Sequence, residues 1–312
     1  MNKKYTEIPF NFNDFKNYLV VNKVEVIKCI FNSEKCFFYD TCSIQHHSNS
    51  KNRKYIIDYL KSKNATIILT RTVLMELSPN SFEVNEVQIE YFKELYNNGV
   101  KILLFDEEYV YDCLKEVFSK SNEELNLLLG YAVKEVSKHK GKVYQILEGM
   151  DTSLKVKIKG NNPGKLELFS RFFNEARSNK QEHDSLAEEL IFICIIILTS
   201  IPYLADDIKY IFFSNDLATR SKVIQLVDYI LKNHNKREPY QLTTATMVYK
   251  MHRESILNSK EEMIEIMSST YGIGNANIYY VGEYDITQVN GKFTLEEIVD
   301  KIINDNGFKI MY

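Results

Sequence analysis

The run CFFYD, Cys36–Asp40, is four apolar residues closed by a carboxylate. It is too short for a helix and rich in aromatic side chains, so it predicts a strand buried on both faces with an acid at its exit. Two similar runs follow, ATIILT at Ala65–Thr70 and VKILLF at Val100–Phe105, the second with Asp106 directly after it. Amphipathic YIIDYLKSK precedes the second run, and TRTVLMELS opens a helix straight behind it. VNEVQIEYFKELYNNG reads as a further helix with Gly99 as its C-cap. KYIFFSND predicts a fourth strand after a buried helix at 184–200, and QLTTATMVY, Gln241–Tyr249, a fifth. Short apolar strands separated by helices are the pattern of βαβ units and a parallel sheet. The expected fold class is therefore α/β, with helices flanking a central parallel sheet.

Around this nucleus the chain divides into segments. Residues 1–34 read as a helical lead-in and residues 35–249 as the main domain. A helical insertion occupies about 108–180, including the Lys-rich stretch LKVKIKGNNPGK. Residues 250–312 form a small α/β appendage with a helix near 258–270, a strand NIYYV, and TLEEIVDKIIND, in which Thr294 and Glu297 have capping-box spacing. No internal repeat is visible.

At 45% hydrophobic, 26% charged and five prolines, the 312 residues have the composition of an ordinary globular protein. A net charge of −3 excludes coating nucleic acid by bulk charge, so any such contact needs a local basic surface or a bound metal. The five cysteines, Cys29, Cys36, Cys42, Cys113 and Cys194, lack CxxC spacing and are expected as reduced thiols in a cytoplasmic protein. MNKKYTEIPFNFNDF has no continuous apolar run and does not read as a secretory signal. The apolar stretch Leu190–Ala205 is shorter than the ~20 residues of a spanning helix and follows Glu188 and Glu189, so it predicts a buried helix and no membrane association.

In an open parallel sheet, ligands bind in the crevice at the carboxyl ends of the strands. Asp40 ends the first strand, and Glu76 lies one to two helical turns past the second. Asp184 opens the long buried helix, with Glu188 one turn later on the same face, and Asp216 follows the fourth strand. Carboxylates gathered on one rim repel one another unless a cation joins them. The hard, oxygen-seeking cations Mg²⁺ and Mn²⁺ fit such a set, and they activate water and polarise phosphoryl oxygens.

These residues carry a resemblance to the PIN-domain nuclease family. FFYDTCSI resembles the opening strand of PIN domains, and TRTVLMELS the helix that bears the family's Glu. KILLFDEEYV is similar to the third strand and the helix behind it, and HDSLAEELIFICIIIL to the third acidic position opening a buried helix. FFSNDLATR is similar to the family's Thr-Asn-Asp after the fourth strand, with Ser214 in place of Thr. The resemblance spans roughly 35–225 and rests on order and spacing. It implies a Rossmann-like PIN fold and an endoribonuclease that cleaves RNA phosphodiesters with Mg²⁺ or Mn²⁺. It assigns the metal to Asp40, Glu76, Asp184 and Asp216, with Glu188 as the alternative third ligand, and substrate contacts to Thr41 and Asn215. The separation of Glu76 and Asp184 exceeds that of small PIN toxins, which implies an inserted helical subdomain.

Between Lys134 and Lys165, eight lysines (134, 138, 140, 142, 155, 157, 159, 165) face Glu135, Glu148 and Asp151, a local net of +5. The alternation of Lys155, Lys157 and Lys159 would align them on one face of an extended strand, either as a phosphate-tracking surface or as a solvated face. His46, His47 and His183 lie near the acidic positions, and His183, beside Asp184, is placed to move protons. Asp206–Asp207 reads as a turn on the opposite rim. Gly272-Ile-Gly274 lacks the third glycine of a dinucleotide fingerprint. A competing reading is a non-catalytic PIN-like module that binds RNA or protein. An aspartyl phosphatase is disfavoured, because Asp40-Thr41-Cys42 lacks the second Asp that chemistry uses. The sequence leaves a second copy of the chain or another protein open as partner.

Overall fold

A computed structural model describes residues 5–160, 162–202, 209–216, 219–234, 240–282 and 287–311. In chain order the elements begin with α1 (Phe12–Phe15), α2 (Lys23–Asn32), β1 (Lys35–Tyr39), α3 (Thr41–Asn49), α4 (Arg53–Ser62), β2 (Ala65–Thr70), α5 (Arg71–Leu77), α6 (Glu86–Asn97) and β3 (Lys101–Phe105). Five helices follow: α7 (Tyr109–Val117), α8 (Asn122–Ser137), α9 (Lys142–Gly149), α10 (Thr152–Ile158) and α11 (Phe169–Ser178). Then come α12 (Leu186–Thr199), β4 (Tyr210–Phe213), α13 (Thr219–His234), β5 (Tyr240–Leu242) and α14 (Thr244–Arg253). The chain closes with α15 (Lys260–Tyr271), β6 (Asn275–Val281), β7 (Val289–Thr294), α16 (Leu295–Asn304) and β8 (Lys309–Ile310).

Strands β1–β5 form one parallel sheet in the order β3-β2-β1-β4-β5, flanked by helices in a Rossmann-like α/β arrangement. The first three strands are laid outward from β1, and the chain then returns to place β4 on its other side. That reversal makes the carboxyl ends of β1 and β4 the topological switch point, where open α/β sheets bind their ligands. A smaller antiparallel sheet, β7-β6-β8, lies near the C-terminus.

Burial explains why the strand runs lack polar alternation. Every residue of β2 is buried, as are Cys36–Tyr39 of β1 and all of β4. Each fully buried Leu, Ile or Phe contributes on the order of 1.5–3 kcal/mol of hydrophobic stabilisation. Helix α12 is buried along its length from Glu189 to Thr199 and packs against α5, α7, α8, α9 and α13. The uniform apolarity of the 190–199 run therefore reflects a helix covered on all sides. Residues 203–205 of the Leu190–Ala205 stretch, like the Asp206–Asp207 turn, lie outside the described residues. Among the described residues no helix is long and apolar enough to cross a membrane, and all five cysteines are unpaired.

Helix α6 ends as its sequence predicts. Gly99 takes φ +82°, its amide donates to Tyr96 O, and the Val100 amide donates to Leu95 O. Thr294 and Glu297 form the expected capping box of α16, and Gly272 terminates α15 at φ +69°.

Two expectations are corrected. The fifth strand stops at Leu242, and TTATMVY is the start of α14. Thr243 Oγ1 accepts the Thr246 amide at 3.2 Å, and this N-cap outweighs the β-propensity of the threonines. The Lys155–Lys159 stretch is helical in α10 rather than extended. Asp151 caps it through the Ser153 and Leu154 amides, and Leu154 and Ile158, four apart, are its buried pair. Lys155, Lys157 and Lys159 therefore do not share a strand face.

Candidate functional site

Because the sheet is parallel, every strand delivers its exit residue to one rim. Asp40 leaves β1 as the N-cap of α3, its Oδ1 accepting the Ser43 amide at 2.6 Å. Its own amide donates to Phe213 O at 3.1 Å, tying the end of β1 to the end of β4. Ser214, Asn215 and Asp216 follow β4 at the same switch point. Asp216 is exposed there, with its amide donating to Ser214 Oγ at 3.2 Å. Burial pushes the Asp40 carboxyl up to about 6, against the hydrogen bonds of Ser214 and Ser43, and the charge of Glu188 adds to the rise.

Glu188 projects from the first turn of α12. Burial raises its carboxyl above the ordinary value, Lys222 and Thr219 oppose the rise, and Asp216 adds to it. Lys222, on α13, holds Glu188 Oε2 at 3.2 Å and Glu189 Oε1 at 3.7 Å. Glu188 Oε1 is shut off from solvent and has no hydrogen-bond donor. A buried carboxylate oxygen without a partner is costly, and it marks a position suited to a cation.

Glu76, on α5, accepts a short hydrogen bond from the Thr41 hydroxyl and an ion pair from Lys180 at 3.0 Å. Thr41 thus couples Glu76 to the turn that holds Asp40. Exposed Cys42 senses the whole rim. Crowding by protein, then the charges of Asp40, Glu76, Asp216 and Glu188, push its thiol up to about 11.

Asp184 is differently engaged. Its Oδ1 accepts Lys180 Nζ at 2.5 Å and the Leu186 amide at 3.1 Å, and its Oδ2 accepts the Gln181 amide at 2.7 Å. It organises the turn into α12, and Lys180 links it to Glu76. Glu189, beside Glu188 in sequence, is 1% exposed and accepts the Lys142 and Val143 amides that begin α9. Adjacent glutamates are therefore engaged differently, Glu189 fastening a helix end and Glu188 pairing with Lys222 while one of its oxygens stays without a donor.

Asn215 is also fully engaged. Its Oδ1 accepts the Thr244 amide at 2.7 Å and its Nδ2 donates to Ser43 Oγ at 3.2 Å. Lys155 and Lys159 pair with Glu148 at 2.7 and 2.8 Å, and Lys157 lies along Gly164. His47 is a core residue between the rings of Tyr39 and Phe213, bonded to Thr244 at 3.1 Å, and burial pushes it down to about 3. His183 is exposed, at φ +56°, against Glu182.

The residues that sequence reasoning overlooked are Lys180 and Lys222, each placed against a rim carboxylate. Lys180 was detectable in principle, standing four residues before Asp184 on the approach to α12. Lys222 was not, because its partner lies 34 residues away. Among the described residues no three His, Cys, Asp or Glu side chains converge closely enough to hold a metal as they stand. Comparison with protein-family models, with curated proteins and with solved structures finds no match for this chain.

Proposed function

We propose that this chain is a PIN-type endoribonuclease, dependent on Mg²⁺ or Mn²⁺, in which Asp40, Glu188 and Asp216 hold the ion. The observation that carries the reading is Glu188 Oε1, buried and without a donor, on a side chain whose charge raises Asp40 and is itself raised by Asp216, the acids that follow β1 and β4. The residues fit the group, since the charge of Glu188 raises Asp40, that of Asp216 raises Glu188, and Glu188 keeps a buried oxygen without a donor. When bound, such an ion supplies Lewis-acid polarisation of a phosphoryl oxygen and a lowered pKa for water. Asp40 is kept in place by the Ser43 amide, and Glu188 would exchange its contact with Lys222 for one with the ion. Thr41 ties Glu76 to the turn that holds Asp40, where it would orient an attacking water. The test is cleavage of a labelled RNA with Mn²⁺, with Mg²⁺ and with chelator, for wild type, Asp40→Asn and Glu188→Gln. Metal-dependent cutting and a metal-induced rise in Tm, both lost in the variants, are expected. Cleavage undiminished by chelator would overturn the metal mechanism.

A second reading, a non-catalytic PIN-like module that binds RNA or protein, draws on the two lysines. Lys180 and Lys222 already neutralise Glu76, Asp184 and Glu188, and no closed ligand triad stands among the described residues. RNA binding without cleavage, equal in wild type and both variants, would establish that reading instead.

A further inference from the structure

We propose that the ammonium of Lys180 is a built-in cation that fills the Glu76–Asp184 half of the rim and limits the site to a single divalent ion. The inference rests on the metal-dependent reading above and specifies how many ions the rim takes.

Lys180 and Lys222 differ in how firmly they are held. The Lys180 side chain is 2% exposed, and its Nζ lies 2.5 Å from Asp184 Oδ1, 3.0 Å from Glu76 Oε1 and 2.7 Å from Gln181 O. Those three acceptors use all three N–H bonds of the ammonium. The Tyr5 ring lies over it at 5.0 Å and closes the outer side. Burial alone would lower its pKa, but Glu76 and Asp184 more than offset that, so it stays charged. Lys222 is 20% exposed and contacts its carboxylates only at 3.2 and 3.7 Å. Its hold on Glu188 is the looser one.

Coordination capacity points the same way. Three donors already occupy the oxygens of Asp184, and two of those donors are backbone amides that cannot move without unwinding the entry to α12. Glu76 is shared between Thr41 and Lys180. Glu188 keeps one buried oxygen without a partner. A divalent ion entering at Asp40, Glu188 and Asp216 competes at Glu188 with the loosely held Lys222. An ion entering at Glu76 and Asp184 would have to expel a saturated, buried ammonium. The fixed positive charge of Lys180 thus takes the place a second ion would fill, and it positions Glu76 without contacting substrate.

Mn²⁺ bound per full-length chain would be counted by titration calorimetry and by the electron-paramagnetic signal of free Mn²⁺. The variants are Lys180→Arg, Lys180→Gln and Lys180→Met. Wild type and Lys180→Arg, which keeps the charge, are expected to bind one ion. Lys180→Gln and Lys180→Met are expected to bind two, with a further Mn²⁺-dependent rise in Tm that wild type lacks. Lys180→Gln retains a donor between the carboxylates and serves if Lys180→Met does not fold. Two ions in wild type, or one in the neutral variants, would overturn the role of Lys180 and leave the metal reading standing. No ion in any form would remove both.

Discussion

The side chain of Asn215 accepts the backbone amide of Thr244 at 2.7 Å while donating to Ser43 at 3.2 Å. One amide side chain thereby fastens the exit of β4 to the starts of both α3 and α14, and so sets where Asp216 and Asp40 stand. Asn215→Ala leaves the Thr244 amide without its acceptor. The expected cost is about 1–3 kcal/mol, read as a lower urea midpoint at unchanged slope. Asn215→Asp keeps the acceptor and should lose less. An Asn215→Ala protein as stable as wild type would deny the residue this structural task.

Asp40 and His47 impose opposite pH slopes. The Asp40 carboxyl, raised to about 6, favours the folded state fully below the unfolded value near 3.9, and that advantage is lost as pH rises through 6. His47, lowered to about 3, favours the folded state above its unfolded value near 6.5, and that advantage fades as pH falls toward 3. Without metal at pH 7, Asp40→Asn should be more stable than wild type by roughly 1–3 kcal/mol. It should also lose stability more steeply on acidification from pH 7 to 4, because the Asp40 slope that opposes His47 is gone. Urea titrations in chelator at stepped pH decide the matter, and parallel curves for the two proteins would refute it.

Gly141 and Gly149 bracket α9 and should respond in opposite directions to alanine. A Cβ at Gly141 would collide with the carboxylate of buried Glu189, which holds the α9 amides. Gly141→Ala is therefore expected to destabilise by about 1–3 kcal/mol, as overpacking does. A Cβ at Gly149 meets nothing within 4 Å, and the backbone there needs no positive φ. Gly149→Ala should be neutral or stabilising by up to about 1 kcal/mol. Differential scanning calorimetry on the pair checks both signs.

Cys42 offers a reporter of rim charge. It is exposed, yet its thiol is pushed up to about 11, so at pH 8 only about one part in a thousand is the reactive thiolate. Labelling by a disulfide reagent should be slow in wild type and several-fold faster in Asp40→Asn/Glu188→Gln, where two of the four opposing charges are gone. Equal rates would mean that the carboxylates do not act on Cys42.

The strands were legible because burial on both faces leaves an unambiguous mark. CFFY, ATIILT and VKILLF each lack the polar alternation of a half-exposed strand, and each became a strand within a residue of its expected ends. The Lys155–Lys159 stretch was misread because alternation over five residues fits two periods. Only the Asp151 cap and the burial of Leu154 with Ile158 select the helical one. QLTTATMVY was misread because threonine favours strands in an interior and caps helices at a start, and its position relative to α14 decides which.

The sequence by itself determined the parallel α/β class, the order of the acids along it and the strand exits that carry Asp40 and Asp216. These are local consequences of hydrophobic period and chain direction. Tertiary structure alone decided which acids face the crevice. Asp184, Glu188 and Glu189 sit within six residues, yet one closes a turn with Lys180, one keeps a buried oxygen without a hydrogen-bond partner, and one caps α9. Nothing in their spacing separates them. What does is the arrival of partners from elsewhere in the chain: Lys222 from α13, the amides of Lys142 and Val143, and Glu76 across from Lys180. A carboxylate's task is set by the donors that reach it, and those donors come from elements the sheet order brings together.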